Sequence, residues 1–239
     1  MARRGSRLVR CPGCRLPTAY CLCSLRPLIN TRAGFCLLMG DIEPLKPSNT
    51  GWLIADVVAD TFAFGWTRTA ADPDLLALLT DPQWQPYVVF PGEFVDAARL
   101  VSSLAPPDGL PGEPSLMPTD ERQGPAARRP LFILLDATWP EARKMFRKSP
   151  YLDRLPVLSL QSDQVSAYKL RRAQRGNHFC TSEVAALCFD LAGEKQAAHT
   201  LEAYLDVFTN HYLNARQQMP LDWHDAAHVR LLSLGQPAP

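Results

Sequence analysis

The chain has 239 residues, 46% of them hydrophobic, enough to bury a sizeable core in one principal domain with an appendage. It contains no run of about eighteen apolar residues, and its Arg-rich start leads into cysteines rather than an apolar stretch. Neither a membrane span nor a secretory signal is therefore expected, and a cytoplasmic protein is predicted. Net charge is only +1, but residues 1–32 hold seven arginines and no acid, while residues 143–175 hold nine Lys or Arg against Asp153 and Asp163. Each segment carries +7, which leaves −13 for the remainder and predicts two basic surfaces suited to a polyanion, or two solvated arginine faces.

Four of the seven cysteines crowd into Cys11-Pro12-Gly13-Cys14 and Cys21-Leu22-Cys23, a C-x2-C-x6-C-x-C pattern. Zinc takes four thiolates at tetrahedral corners, and two close pairs on short knuckles supply them. Such a closed set leaves no position for substrate, so Cys11, Cys14, Cys21 and Cys23 read as structural zinc ligands, with a reduced cluster or redox pair as the alternative. An odd count packed this way argues for a reducing compartment rather than a disulfide framework. Cys36, Cys180 and Cys188 lie in apolar stretches and read as packing residues.

From Gly34 the texture changes to that of a core. Residues 34–39 form a strand-length apolar run, and residues 51–60 space their apolar positions at helical intervals behind an Asn49-Thr50 cap. Residues 87–90 make a second buried strand, stopped by Pro91-Gly92. Residues 105–130 carry seven of the 22 prolines and read as an insertion outside the core. The strongest strand is 131–135, whose unbroken apolar character implies a sheet covered on both faces. A helix over 139–147 follows, with Pro140 in its first turn. Then come a strand at 155–160, a helix opening at Ser182 as N-cap hydroxyl, and an amphipathic stretch at 196–218. The last twenty residues carry no clear signal. This alternation predicts an α/β fold with a mainly parallel sheet: a cysteine module at 1–32, a catalytic domain at 33–218 and a tail at 219–239.

Ligands of open parallel sheets bind at the carboxyl ends of strands, which is where Leu135-Asp136-Ala137-Thr138-Trp139 falls. Asp136 can accept a proton or hold an amine, Thr138 can cap the helix or donate to a ligand, and Trp139 can stack on a base or pack beneath the helix. Spacing alone reads as a capped helix start with a core Trp139.

With Glu141-Ala142-Arg143-Lys144-Met145 behind it, this turn resembles the signature of the DTW-domain family, the tRNA-uridine aminocarboxypropyltransferases. The cysteine module resembles that family's zinc-binding start. Lys46-Pro47-Ser48-Asn49-Thr50, Phe90-Pro91-Gly92-Glu93, Tyr168-Lys169-Leu170-Arg171-Arg172 and Cys180-Thr181-Ser182-Glu183-Val184-Ala185 resemble further blocks in the family's order. Together they span about residues 11–215. Two departures stand out: Gly40-Asp41 replaces an expected His, and the Pro-rich segment is extra.

The resemblance implies a knotted, SPOUT-like fold. It also implies transfer of the 3-amino-3-carboxypropyl group of S-adenosylmethionine to N3 of a tRNA uridine, with release of 5′-methylthioadenosine. It assigns Asp136, Thr138 and Trp139 to catalysis, with Asp136 as proton acceptor or as ligand-orienting group. The S-adenosylmethionine site falls to Phe90, Pro91, Gly92, Leu135, Asp136, Tyr168, Leu170, Arg171, Thr181, Ser182 and Glu183. Lys46, Asn49, Arg143, Lys144 and Arg147 are the implied substrate contacts. The rival readings are a SPOUT-type RNA methyltransferase and a zinc-stabilised RNA-binding protein without catalysis.

Overall fold

The structure, a computed structural model, describes residues 9–104, 128–160 and 179–234. Strand β1 (Gly34–Met39) is buried at every position and pairs in parallel with β2 (Thr61–Gly65) on one side and β5 (Arg129–Asp136) on the other. β3 (Trp84–Val89) lies beyond β5, and two-residue strands β6 (Val157–Leu158) and β4 (Leu100–Val101) complete the order β2-β1-β5-β3-β6-β4, parallel throughout. β5 comes fifth in the chain yet sits at the centre, between β1 and β3. Cover on both faces is the reason its residues read as a continuous apolar run.

Alternate side chains feed two cores. On one face Phe35, Leu37, Met39, Phe132 and Leu134 meet α1 (Gly51–Val57), α4 (Thr181–Leu191) and α5 (Lys195–Gln217). Phe35 anchors this core, edge-on to Phe189 with centroids 5.0 Å apart. On the other face Cys36, Leu38, Leu131 and Ile133 meet α2 (Pro73–Thr80) and α3 (Trp139–Arg147). Cys36, Cys180 and Cys188 are all buried in these cores, which pushes the first two thiols up to about 12 and makes them poor nucleophiles.

The chain differs from its sequence reading in several places, among them β2 and α2, which form where no element was expected. Arg129 and Pro130 belong to β5, so the insertion ends short of them; Pro130 sits at the strand's start, opposite Gln85. Residues 105–127 lie outside the described residues. Ser182 does not cap α4: Cys180 occupies the N-cap position, and its backbone N–H donates to the Glu183 carboxylate at 2.7 Å. For α1 the capping group is Asn49, whose Oδ1 accepts from Trp52 N–H at 3.0 Å, while Thr50 makes no cap bond. Residues 226–234, where no element was expected, form α6 (Ala226–Leu234), which packs on α5.

The cysteine module has no core of its own and borrows one. Cys14, Leu16 and Leu22 are fully buried among residues of α1 and α5, including Leu53, Ile54, Leu201 and Tyr204. Two module arginines turn inward to Asp56 of α1, Arg15 at 2.7 Å and Arg26 at 3.1 Å, with the Tyr204 hydroxyl at 3.4 Å from the same carboxylate. Arg15 adopts φ 66°, a left-handed conformation held by this ion pair and by a 2.9 Å bond from its guanidinium to the Gly13 carbonyl. The basic stretch is thus partly spent on docking the module.

A second tie joins the module to α5 and α6. His211 is fully buried; its Nδ1 meets the Tyr20 carbonyl at 2.9 Å, and its Nε2 meets Nε2 of His228 at 2.9 Å. His228 Nδ1 lies 2.8 Å from Asp225, and Trp223 stands edge-on to His211. A carbonyl only accepts, so His211 carries its proton on Nδ1 and accepts from His228 on Nε2. Burial, then the neighbouring His228, lower the His211 pKa. A histidine depressed in the folded state contributes stability above its unfolded pKa of about 6.5 and loses it as pH falls. The melting temperature is therefore expected to drop as pH is lowered from 7 towards 5, and His211→Gln should flatten that slope in thermal scans.

Candidate active site

Asp136 closes β5 at the centre of the sheet's carboxyl edge and is only 4% exposed. Both its carboxylate oxygens are engaged. Oδ2 accepts from Asn49 Nδ2 at 2.7 Å, and Oδ1 accepts from the Thr181 hydroxyl. Asn49 precedes α1 and Thr181 opens α4, so this carboxylate ties two helix starts to the central strand. The approach is close enough to require glycine at 51, where a Cβ would meet Asp136 Oδ2 at 2.6 Å. Burial raises the Asp136 pKa; the hydrogen bonds from Asn49 and Thr181 pull the other way, and nearby Glu43 adds to the rise.

Lys46 does not point at a free ligand; it pairs with Glu43 three residues before it. Arg10, Arg15, Pro44, Lys46 and Pro47 help line an open depression of about 190 Å³ between the cysteine module and the 43–47 turn. Among the other expected contacts, Ser182 is buried, with a hydroxyl that has no hydrogen-bond partner among the described residues. Glu183 is engaged with the Cys180 backbone, as described above. Tyr168, Leu170 and Arg171 lie outside the described residues.

Phe90-Pro91-Gly92 leaves the end of β3 beside this centre, and Gly92 N–H donates to Ser159 Oγ at 3.0 Å. Phe90 is buried and stacks on Phe146 at 4.3 Å and on Trp139 at 5.5 Å. Trp139 is therefore neither a core residue nor free: one face packs on Phe90, yet 37% of it is exposed. Thr138 is exposed at the α3 N-cap, with its hydroxyl 3.5 Å from Glu141 and no cap bond. Arg143, Lys144 and Arg147 are exposed on α3, Arg143 over the Phe94 ring and Lys144 over the Trp66 ring. Sequence reasoning missed Phe94 and Ser159; only the aromatic just past Phe90-Pro91-Gly92-Glu93 offered a signal.

Residues 8–213 match the family description of the DTW domain. The chain belongs to the DTW-domain family. Membership is consistent with an enzyme of tRNA modification. No solved structure matches the chain.

In this DTW protein the four module thiols fit a metal ion. Their sulfurs all lie within 4.8 Å of one another, with Cys11 3.5 Å from both Cys21 and Cys23 and Cys14 3.7 Å from Cys21. The sulfur–sulfur edge of a zinc–thiolate tetrahedron is about 3.8 Å for a Zn–S bond of about 2.3 Å. Backbone N–H groups of Cys14 and Gly13 donate to Cys11 and lower its thiol to about 6, whereas burial pushes Cys23 up to about 12. Four sulfurs this close can converge on one cation, which would hold them as thiolates, and the set is compatible with structural zinc. Gly13 is required here too, since a Cβ would meet Cys23 Sγ at 2.9 Å. Among the described residues no helix is long and apolar enough to cross a membrane.

Proposed function

We propose that this DTW protein is a tRNA-uridine aminocarboxypropyltransferase of knotted, SPOUT-like type, with zinc in its Cys11/Cys14/Cys21/Cys23 module. The observation that carries the reading is the Asn49–Asp136–Thr181 chain, which gathers three separate sequence blocks at the carboxyl edge of the central strand. Where sheet and helix starts converge in this way, an open α/β fold holds its ligand. The partnerless buried hydroxyl of Ser182, next to Thr181, gives the site a polar group for that ligand.

S-adenosylmethionine would supply an electrophilic carbon attached to its sulfonium. In the transfer, a bond forms between uridine N3 and Cγ of the methionine arm, the Cγ–S bond breaks with departure of 5′-methylthioadenosine, and the N3 proton passes to solvent water. Selecting Cγ over the methyl carbon on the same sulfur is a matter of positioning. Asp136 serves that end: with both oxygens bonded inside the protein, it holds the starts of α1 and α4 in register rather than reaching for the uridine. Thr138 and Trp139 stand exposed at the mouth of the site, and the exposed cations of α3 face a polyanion.

The test is to offer S-adenosylmethionine labelled separately in the methyl group and in the carboxyl carbon, with tRNA lacking the modification. Transfer of the carboxyl label alone is expected. Methyl transfer would make the protein a methyltransferase, and bound tRNA with neither label would make it a non-catalytic RNA-binding protein.

A further inference from the structure

Beside Asp136, three rings form a near-parallel ladder. Phe146 and Phe90 are stacked at 4.3 Å with 6° between planes, and Phe90 and Trp139 at 5.5 Å with 17°. The first two are buried, and the ladder ends at Trp139, 37% exposed. Phe94, 38% exposed, stands at 60° to Trp139 with centroids 5.5 Å apart, and the Arg143 guanidinium lies 4.6 Å over the Phe94 ring. Two large aromatics thus reach solvent side by side under a cation, at the carboxyl edge of the sheet and three residues from Asp136.

The surroundings select the occupant. α3 carries Arg143, Lys144 and Arg147, with Lys148 after them and only Glu141 against them. Arg143 and Arg147 are one helical turn apart on the same side, with Arg147 Nε donating to the Arg143 carbonyl at 3.3 Å. Rings that offer π faces beside a row of cations match an unpaired nucleotide, which has a flat base and a phosphate at fixed separation. An apolar protein partner would leave those cations unmatched.

We propose that Trp139 and Phe94, with Arg143, form a stacking platform for an unpaired base of the RNA substrate, and that Arg143 and Arg147 receive its phosphate. This rests on the RNA-modifying reading above and adds Phe94 as a substrate-binding residue. Because bases stack irrespective of identity, the platform selects a flexible, unpaired loop over a duplex.

The experiment titrates the full chain with a short single-stranded RNA carrying 2-aminopurine, whose fluorescence falls on stacking. Quenching is expected with the wild type. Phe94→Ala is expected to remove it and weaken affinity roughly 5- to 150-fold, the range of one base–aromatic stack. Phe94→Tyr should keep both, as should Trp139→Phe, and an abasic oligonucleotide should bind like Phe94→Ala. Circular dichroism verifies that Phe94→Ala, at a half-exposed position, is folded. Unchanged quenching and affinity in Phe94→Ala, or equal binding of the abasic oligonucleotide, would overturn the platform. The labelled-methionine assay separates the two claims: stacking without transfer of either label sinks the transferase reading and leaves the platform, while transfer at full rate and affinity in Phe94→Ala does the reverse.

Discussion

Asp136→Ala is expected to abolish the proposed aminocarboxypropyl transfer, with a loss of at least ~10²-fold in rate, while affinity for the proposed tRNA substrate survives. The substitution deletes the acceptor for Asn49 and Thr181 together, so the starts of α1 and α4 lose their common anchor. Asp136→Asn isolates the charge from the shape. Its amide oxygen can accept from Asn49 Nδ2 and its NH2 can donate to the Thr181 oxygen, so the geometry survives without the anion. If Asp136 positions, the Asn variant retains turnover within about tenfold of wild type, since each hydrogen bond it weakens is worth only ~1 kcal/mol. An Asn variant as inactive as the Ala variant would restore the carboxylate as proton acceptor.

Stability gives an independent readout of the same pair. Burial raises the Asp136 pKa in the folded state. A raised carboxyl contributes stability below its unfolded pKa of about 3.9, and that contribution is lost as pH rises through the folded value. At pH 7 the buried ion is therefore a cost, and Asp136→Asn is expected to raise the melting temperature while lowering activity. A site residue that opposes stability is the usual mark of a function retained against the fold.

The second large effect concerns the cysteine module. Treatment with a chelator that would strip the proposed zinc, or replacing Cys14 with Ala, is expected to lower the melting temperature by ~10 °C or more, at ~2–4 °C per kcal/mol for a chain of this size. The loss is large because the module lends Cys14, Leu16 and Leu22 to the main core and pins α1 through Asp56 and α5 through Tyr20 and His211. Elemental analysis of the purified protein should find one zinc per chain, lost in Cys14→Ala. A metal-free protein with an unchanged melting temperature would make the four thiols a reduced cluster.

What was legible in the sequence follows from local physics. An apolar run at 131–135 has to be a strand with cover on both faces, and β5 lies at the centre of the sheet. The α3 start came from Asp136 ending the strand and Pro140 suiting a first turn, since both act within one helical turn. Edge elements were harder. β2 is half exposed, so its side chains carry little burial pattern. α6 is short and buries mainly His228 and Leu231, too few apolar positions to show a period.

The chain by itself determined that this is a parallel α/β protein with a four-thiol module of metal-ligand spacing and a motif of the DTW family at the end of its strongest strand. Composition, period and residue type decide those matters, because they act over a few positions. Only the tertiary structure decided what Asn49 and Thr181 touch. Both were expected on ligands, and both donate to Asp136, across 87 and 45 residues of chain. Likewise Arg15 and Arg26 pair with Asp56 of α1 rather than standing on an open basic surface, and Trp139 ends an aromatic ladder whose middle ring comes from another strand's turn. Such pairings are invisible in sequence because a hydrogen bond or a stack is set by where strands and helices cross, and a side chain's local spacing carries no record of its distant partner.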